Sequence, residues 1–246
     1  NTQNLLLEES HLGAVIDPAA GSWYVEQLTE SLAVAAWAWF QELERAGGIG
    51  EAGELVASRI AATWEARSAR LANRCDPITG VSEFPDLAEK PVVREPAPLP
   101  DGELPRVRYA QAFEELRDLA DAQPERPVVF LATLGPIAAH TARAIFAANL
   151  FNAGGFATPD AGPTTTPAEV ADRFTASGAR IAVLCGSDSS YADQAEQTVK
   201  ALRAAGAERV LLAGKKTDAD VDGLVFAGCP ALEILNSTYD FLGVQR

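Results

Sequence analysis

The sequence predicts an α/β protein in which a helical region precedes a doubly wound, parallel, five-stranded domain. Two observations support this prediction. In the first 90 residues, apolar side chains recur at intervals of three and four, which is the period of a helix. After Pro127, short β-rich runs alternate with helical segments, a pattern typical of a parallel sheet that is covered on both faces.

Two long helices are predicted before residue 90. The first covers about 25–46 and would end at Gly47-Gly48, and the second covers about 51–73. The apolar triplet Ala14-Val15-Ile16 leads through a glycine-containing turn to Ser22, a plausible N-cap, and therefore predicts a short strand at the end of a βα unit. All four tryptophans fall in this region, so it carries more apolar surface than a helical hairpin can bury by itself.

A proline-rich segment separates the two regions. Seven of the 15 prolines lie between Pro91 and Pro127. Proline fixes φ and removes a backbone donor, so the stretch 91–105 is expected to be an extended linker, followed by a short helix. The predicted division of the chain is therefore 1–90, 91–126 and 127–246.

The last region predicts the sheet. The expected strands are 128–132, 155–157, 180–184, 209–213 and 232–235, and the expected helices are 138–153, 167–177, 190–205 and 217–227. Ligands of such sheets bind beyond the carboxyl ends of the strands. The candidate binding loops are therefore 133–138, 158–166, 185–189, 214–217 and 236–240.

Composition excludes several classes of protein. With 34 acidic against 20 basic residues, the net charge of −14 disfavours nucleic acid as a partner. No apolar run is long enough to cross a membrane. Cys75, Cys185 and Cys229 are odd in number and widely spaced, which fits a reducing cytoplasm better than a disulfide framework or a zinc site. Because the chain has no methionine and no signal peptide, we expect it to be cut from a longer protein.

The first loop of the predicted sheet contains few groups that carry chemistry. Gly135 is the loop's single glycine, whereas a dinucleotide cradle needs two or three, so dinucleotide binding is disfavoured. His140 is a candidate metal ligand or acid/base group. A surface or helix-capping role is the more common one for a lone histidine near the start of a helix.

Four further groups of polar residues have competing interpretations. Ser187-Asp188-Ser189-Ser190 favours a helix N-cap over a ligand site, and Lys215-Lys216 favours a solvated, mixed-charge face over a phosphate site. Asp218, Asp220 and Asp222 resemble the opening of a calcium loop but lack its terminal glutamate, so calcium is rejected. His11 and Asp17 fit either a site at the rim of a barrel or a structural turn.

Several of these segments resemble the methylmalonyl-CoA mutase family. Asn1-Thr2-Gln3, Glu8-Glu9-Ser10-His11 and the stretch 17–26 are similar to the end of the family's substrate barrel, and the similarity continues to the end of the chain. The resemblance implies that 1–90 is the tail of a (β/α)₈ barrel with following helices. It also implies that 127–246 is a flavodoxin-like domain of the kind that holds adenosylcobalamin, the cofactor for the radical interconversion of (R)-methylmalonyl-CoA and succinyl-CoA.

The chain departs from the family at the positions that hold this cofactor. The family's D-x-H-x-x-G motif supplies a lower cobalt ligand, but its three defining positions fall on Ile137, Ala139 and Ala142. His140 lies one residue beyond the ligand position, without an orienting acid. The family's S-x-L and Gly-Gly segments fall on Cys185-Gly186-Ser187 and Ala213-Gly214, and both are weakened.

This pattern resembles the small, non-catalytic subunits of heterodimeric mutases in the family. It implies that no residue of this chain is catalytic, binds cofactor or ligates a metal, and that the partner is a catalytic large subunit holding adenosylcobalamin. One alternative is a catalytic or cobalamin-binding chain in which His140 is a displaced lower ligand. Another is a stand-alone sensory or binding module built on the doubly wound domain.

Overall fold

The computed structural model describes residues 1–90, 93–95 and 106–244. The chain forms two compact units, Asn1–Thr63 and a second that begins at Trp64. Most of the predicted linker, namely 91–92 and 96–105, lies outside the described residues.

The first unit is helical, as predicted. A short helix α1 (Thr2–Asn4) continues as a π-helical turn over Leu5–Glu9, and the long helix α2 covers Trp23–Arg45. Helix α3 (Gly53–Ala72) begins in this unit and ends in the second. It follows a turn at which the N–H of Gly48 donates to the carbonyl of Leu43, which ends α2. Both long helices confirm the apolar periodicity that predicted them.

The predicted strand at 14–16 is wrong. These residues form turns and bends, and the side chain of Ile16 is fully exposed. A strand is stable only when its backbone groups pair with a neighbour. No described residue pairs with this segment, so the apolar triplet does not extend into a strand.

The second unit contains a parallel sheet, which was expected. Its elements in chain order are α4 (Gln111–Asp121), β1 (Val129–Thr133), α5 (Ile137–Ala153), α6 (Pro167–Ser177), β2 (Ile181–Cys185), α7 (Asp188–Ala204), β3 (Arg209–Ala213), β4 (Gly223–Val225) and α8 (Ala231–Leu242). The order in the sheet is β1-β2-β3-β4, with Val129 opposite Ile181 and Ile181 opposite Arg209. Parallel registry brings all four carboxyl ends to one edge.

Helices cover both faces of the sheet. One buried cluster includes side chains of α4, α5 and α8 against one face, and the other includes side chains of α6 and α7 against the opposite face. Alternate residues of β1 point to opposite clusters, since Leu131 belongs to the first and Phe130 to the second. The uniformly apolar strands are therefore explained by burial on both sides.

The sheet has four strands among the described residues, whereas five were predicted. The expected strand at 155–157 forms isolated bridges instead, which join Val128 to Ala157 and Leu131 to Asp160. Pro159 lies between the bridged residues Ala157 and Asp160 and has no N–H to donate, which prevents a continuous ladder.

The end of the chain differs most from the prediction. The expected helix at 217–227 is a loop followed by β4, and the expected strand at 232–235, together with the candidate loop 236–240, lies inside α8. Ala231, Leu235 and Tyr239 are all buried, and their spacing of four places them on one helical face against the core. None of the described helices has the length and apolar character needed to span a membrane.

Candidate functional site

The carboxyl edge of the sheet is where a doubly wound domain binds ligands. Its first loop, after β1, is held by hydrogen bonds. The N–H of Leu134 donates to the carbonyl of Cys185 at 2.8 Å, and the hydroxyl of Thr164 donates to the carbonyl of Thr133 at 2.7 Å. Gly135 completes the turn with φ of +78°, a conformation that favours glycine.

The three positions at which the family's motif is lost lie on the first two turns of α5. Ile137 is the first residue of the helix and is 63 % exposed, while Ala139 and Ala142 follow within the next turns. Isoleucine and alanine side chains have no lone pair, so none of the three can ligate a metal. These residues therefore do not fit the cobalt-binding part of an adenosylcobalamin site.

His140 is buried, so the expectation of a surface or capping role is wrong. Its side chain is 6 % exposed, and its Nδ1 atom has no hydrogen-bond partner. Each helical residue turns the side-chain direction by about 100°. His140 therefore shares the inner face of α5 with Ala144 and Ala147, which pack in the core, and this face points away from solvent at the sheet edge.

A tyrosine closes the carboxyl ends of β2 and β3. The Tyr191 hydroxyl accepts a hydrogen bond from the N–H of Gly186 at 3.0 Å. It lies 3.0 Å from the carbonyl oxygen of Leu184 and 2.8 Å from that of Ala213, to either of which it can donate its proton. Tyr191 is the fourth residue of α7 and is 7 % exposed, so its ring fills the space between the strand ends.

Arg143 covers this tyrosine. Its guanidinium lies 4.7 Å from the centre of the Tyr191 ring, donates to the carbonyl of Gly186 at 2.6 Å and pairs with the Asp188 carboxylate. Burial alone would lower the pKa of Arg143, but the hydrogen bond to Asp188 and the adjacent Tyr191 outweigh burial and raise it. Arg143 therefore stays charged and holds the tyrosine in place.

The remaining polar residues of the edge have structural roles. The Ser187 hydroxyl accepts from the N–H of Ser190 at 3.1 Å, which confirms the predicted N-cap. Lys215 and Lys216 are exposed, as a solvated face requires. Asp222 accepts the N–H of Val210 at 2.6 Å and so joins β3 to the segment that enters β4.

An open cleft of about 870 Å³ lies beside the closed strand ends. It is lined by residues of α5, of α7 and of the loop after β3, including Arg143, Tyr191 and Gly214. Acidic and basic side chains both line it, so it has no strong preference for one sign of charge. Among the described residues, no group of three His, Cys, Asp or Glu side chains could hold a metal ion.

The two candidates for a site at a barrel rim, His11 and Asp17, have no functional partner side chain nearby among the hydrogen bonds of the described residues. The Asp17 carboxylate accepts the N–H of Ala19 at 3.0 Å and forms a local turn, and His11 is exposed with φ of +54°. Cys185 is buried, and burial raises the pKa of its thiol, which removes it as a nucleophile at neutral pH.

No sequence pattern pointed to Tyr191 or Arg143. Each is a single polar residue on a helix, and neither belongs to a recognised motif. Only the topology of the sheet brings α5 and α7 together over the ends of β2 and β3. A search for long polar side chains in the first turns of the helices that follow strands would have found them.

The Tyr191 hydroxyl predicts a pH dependence of stability. Burial raises the pKa of Tyr191 to about 12, whereas an exposed tyrosine has a pKa of about 10. The folded state favours the neutral phenol, so this stabilisation is complete below about pH 10 and is lost as the pH rises through about 12. We expect Tyr191→Phe to lower the free energy of unfolding by about 1–3 kcal/mol at neutral pH and to reduce the alkaline loss. The part of this loss that comes from Cys185 and Tyr239 should remain, because burial raises the pKa of these groups as well.

Urea unfolding at several pH values between neutrality and pH 12 measures this effect. Tyr24→Phe is the matched control, since Tyr24 is 63 % exposed and its removal should change neither quantity. Parallel alkaline losses in the native chain and Tyr191→Phe would show that the Tyr191 hydroxyl is not the titrating group.

Comparisons with known proteins show the family to which the chain is similar. Residues 1–151 match the family model described as methylmalonyl-CoA mutase. The chain is 59 % identical over 252 residues to the methylmalonyl-CoA mutase small subunit of Streptomyces virginiae, and 40 % identical over 259 residues to that of Propionibacterium freudenreichii subsp. shermanii. These matches cover 99 % and 100 % of this chain, but 41 % and 40 % of the relatives.

The large subunit from the same Propionibacterium matches a smaller part of the chain. It is 41 % identical over 86 residues, which is 34 % of this chain and 12 % of that protein. The structure defines an α/β protein with a parallel-sheet domain, in which Tyr191 closes the carboxyl ends of β2 and β3. The chain belongs to the methylmalonyl-CoA mutase family.

Proposed function

We propose that this chain is part of the non-catalytic small subunit of a heterodimeric, adenosylcobalamin-dependent methylmalonyl-CoA mutase. In this proposal the large subunit holds the cofactor and interconverts (R)-methylmalonyl-CoA and succinyl-CoA in the cytoplasm. The similarity to two small subunits over nearly all of this chain supports it, whereas the large subunit matches about a third.

The main support for the proposal is that the chain's own side chains close the carboxyl edge of the sheet. Ala139 stands at the ligand position, and Tyr191 with Arg143 fills the ends of β2 and β3. A corrin needs small residues and a close backbone approach at such an edge. A chain that closes this edge with its own side chains keeps the fold of the family but does not bind the cofactor. We infer that such a chain supports a catalytic partner.

We further propose that the domain division is 1–90, 91–126 and 127–246, with a barrel tail first and a flavodoxin-like domain last. The segment 157–160 lies beside β1 on the side away from β2. Counted as a strand, it would make the order 2-1-3-4-5, which is the flavodoxin-like order. This arrangement supports descent from a cofactor-binding domain.

An exposed apolar surface on α2 fits a role in a larger assembly. Trp23 is 80 % exposed and Trp37 is 61 % exposed, Val34 is exposed on the same face as both, and Leu32 is exposed on the opposite face. Exposed aromatic and aliphatic side chains that share a helix face are typical of an interaction surface. The relatives are more than twice as long as this chain, so either the remainder of such a subunit or its partner would supply the covering surface.

The alternative, in which His140 is a displaced lower ligand, has one supporting observation, the unpartnered Nδ1 atom. Its burial opposes this alternative, because a lower ligand has to reach a cofactor that enters from solvent. The helix would have to rotate before His140 could do so.

Co-expression with a mutase large subunit tests the proposal. We expect the two chains to co-purify, to show mutase activity with adenosylcobalamin, and to carry a single corrin that stays with the large chain when the two are separated. Independent migration of the two chains, or a corrin on each chain, would contradict the proposed role.

A further inference from the structure

We propose that the carboxyl ends of β2 and β3 form a binding site for a phenol ring, and that the side chain of Tyr191 occupies this site in the native chain. The inference concerns the shape and hydrogen-bonding groups of the strand ends alone. It therefore holds whether or not the chain is a mutase subunit.

Two glycines flank the edges of the ring, and Gly186 is the one that makes room for it. A Cβ atom added to Gly186 would lie 3.3 Å from Cε1 of Tyr191, and one added to Gly214 would lie 3.6 Å from Cε2. The Gly186 Cβ would also meet Leu134 at 3.1 Å and Ser190 at 3.2 Å, so a side chain there has no free space. The Arg143 guanidinium completes the site over the ring face.

The strand ends supply a matched set of groups for a hydroxyl. The N–H of Gly186 donates to it, and the carbonyls of Leu184 and Ala213 are placed to accept its proton. A phenol has one proton and two lone pairs, so it satisfies the donor and one acceptor at the same time. An apolar ring of the same shape would leave the buried N–H of Gly186 unpaired, which is unfavourable.

The position of this site is the one at which doubly wound sheets bind external ligands. Here the ring is attached to the chain through the first turn of α7, so no external ligand is needed to close the edge. The cleft of about 870 Å³ touches Tyr191, Arg143 and Gly214 and leads from the ring to solvent. A free phenol can therefore reach the site once the tyrosine is shortened.

Chemical rescue of Tyr191→Ala tests the proposal. We expect the variant to unfold at a lower temperature than the native chain, and saturating phenol to raise its unfolding midpoint by a few degrees. Toluene should raise the midpoint less, because it can neither accept from the N–H of Gly186 nor donate to a strand carbonyl. The native chain and Tyr191→Phe, whose rings occupy the site, should not respond to phenol.

Two results would overturn the proposal: no effect of phenol on Tyr191→Ala, or an equal effect of phenol and toluene. If Tyr191→Ala does not fold alone, its refolding yield is measured with and without phenol. An increase in yield with phenol alone supports the site, and equal yields refute it.

Discussion

Gly155→Ala is expected to lower the free energy of unfolding by about 3–5 kcal/mol, because the substitution combines backbone strain with overpacking. Gly155 has φ of +87°, in the left-handed region that alanine avoids. A Cβ atom there would lie 2.6 Å from the Cβ of Ala120 and 3.2 Å from the Cα of Arg117, so helix α4 would have to move away from the core.

Gly178→Ala is the matched control for this prediction. Gly178 ends helix α6 with φ of +68°, but a Cβ atom there would meet nothing within 4 Å. The substitution Gly178→Ala should lower the free energy of unfolding by only about 1 kcal/mol, because it adds backbone strain without a steric clash. Urea unfolding of both variants measures the difference, and equal losses would show that the contact with α4 does not matter.

Glu83→Ala is expected to cost about 3 kcal/mol, because it leaves a buried arginine without its partner. The Arg74 side chain is 7 % exposed, and its guanidinium lies 2.5 Å from the Glu83 carboxylate. Glu83 also accepts a hydrogen bond from the side-chain amide of Asn149, whose oxygen accepts the N–H of Phe84 at 2.6 Å. One carboxylate therefore holds the segment that carries it against helix α5.

Glu89→Ala provides the comparison. Glu89 lies 3.9 Å from Arg117, but its side chain is 67 % exposed, so this pair should contribute no more than about 1 kcal/mol. Thermal and urea unfolding give the two losses. A loss for Glu83→Ala no larger than that for Glu89→Ala would show that the buried pair contributes little to stability.

The sequence predicted those elements whose local signals and tertiary environment agree. Helix α6 begins and ends where expected, because Thr166 and Glu169 form a capping box at its start and Gly178 ends it. Strands β1, β2 and β3 are buried on both faces, so their unbroken apolar runs were informative.

The prediction failed where a short segment depends on its neighbours. Strand β4 has three residues, Gly223–Val225, and a glycine start gives no β signal, so it exists because β3 offers an edge to pair with. The apolar run at 232–235 is compatible with either a strand or a helix. It forms a helix because the helical conformation places Leu235 and Tyr239 on one face against the core.

The candidate site was predicted in part. The loss of a lone-pair donor at Ala139 was visible in the sequence, because it concerns the identity of one residue. The burial of His140 was not, since it depends on which face of α5 meets the sheet. The role of Tyr191 depends on backbone groups from two strands that are distant in the chain, and no local pattern encodes it.

Corrin retention by the purified chain tests the central claim most directly. The chain is incubated with adenosylcobalamin, free cofactor is removed by desalting, and the corrin absorbance of the protein fraction is read. We predict no retained absorbance for either the native chain or His140→Ala. Absorbance that the native chain retains and His140→Ala loses would contradict the account and assign His140 as a cobalt ligand.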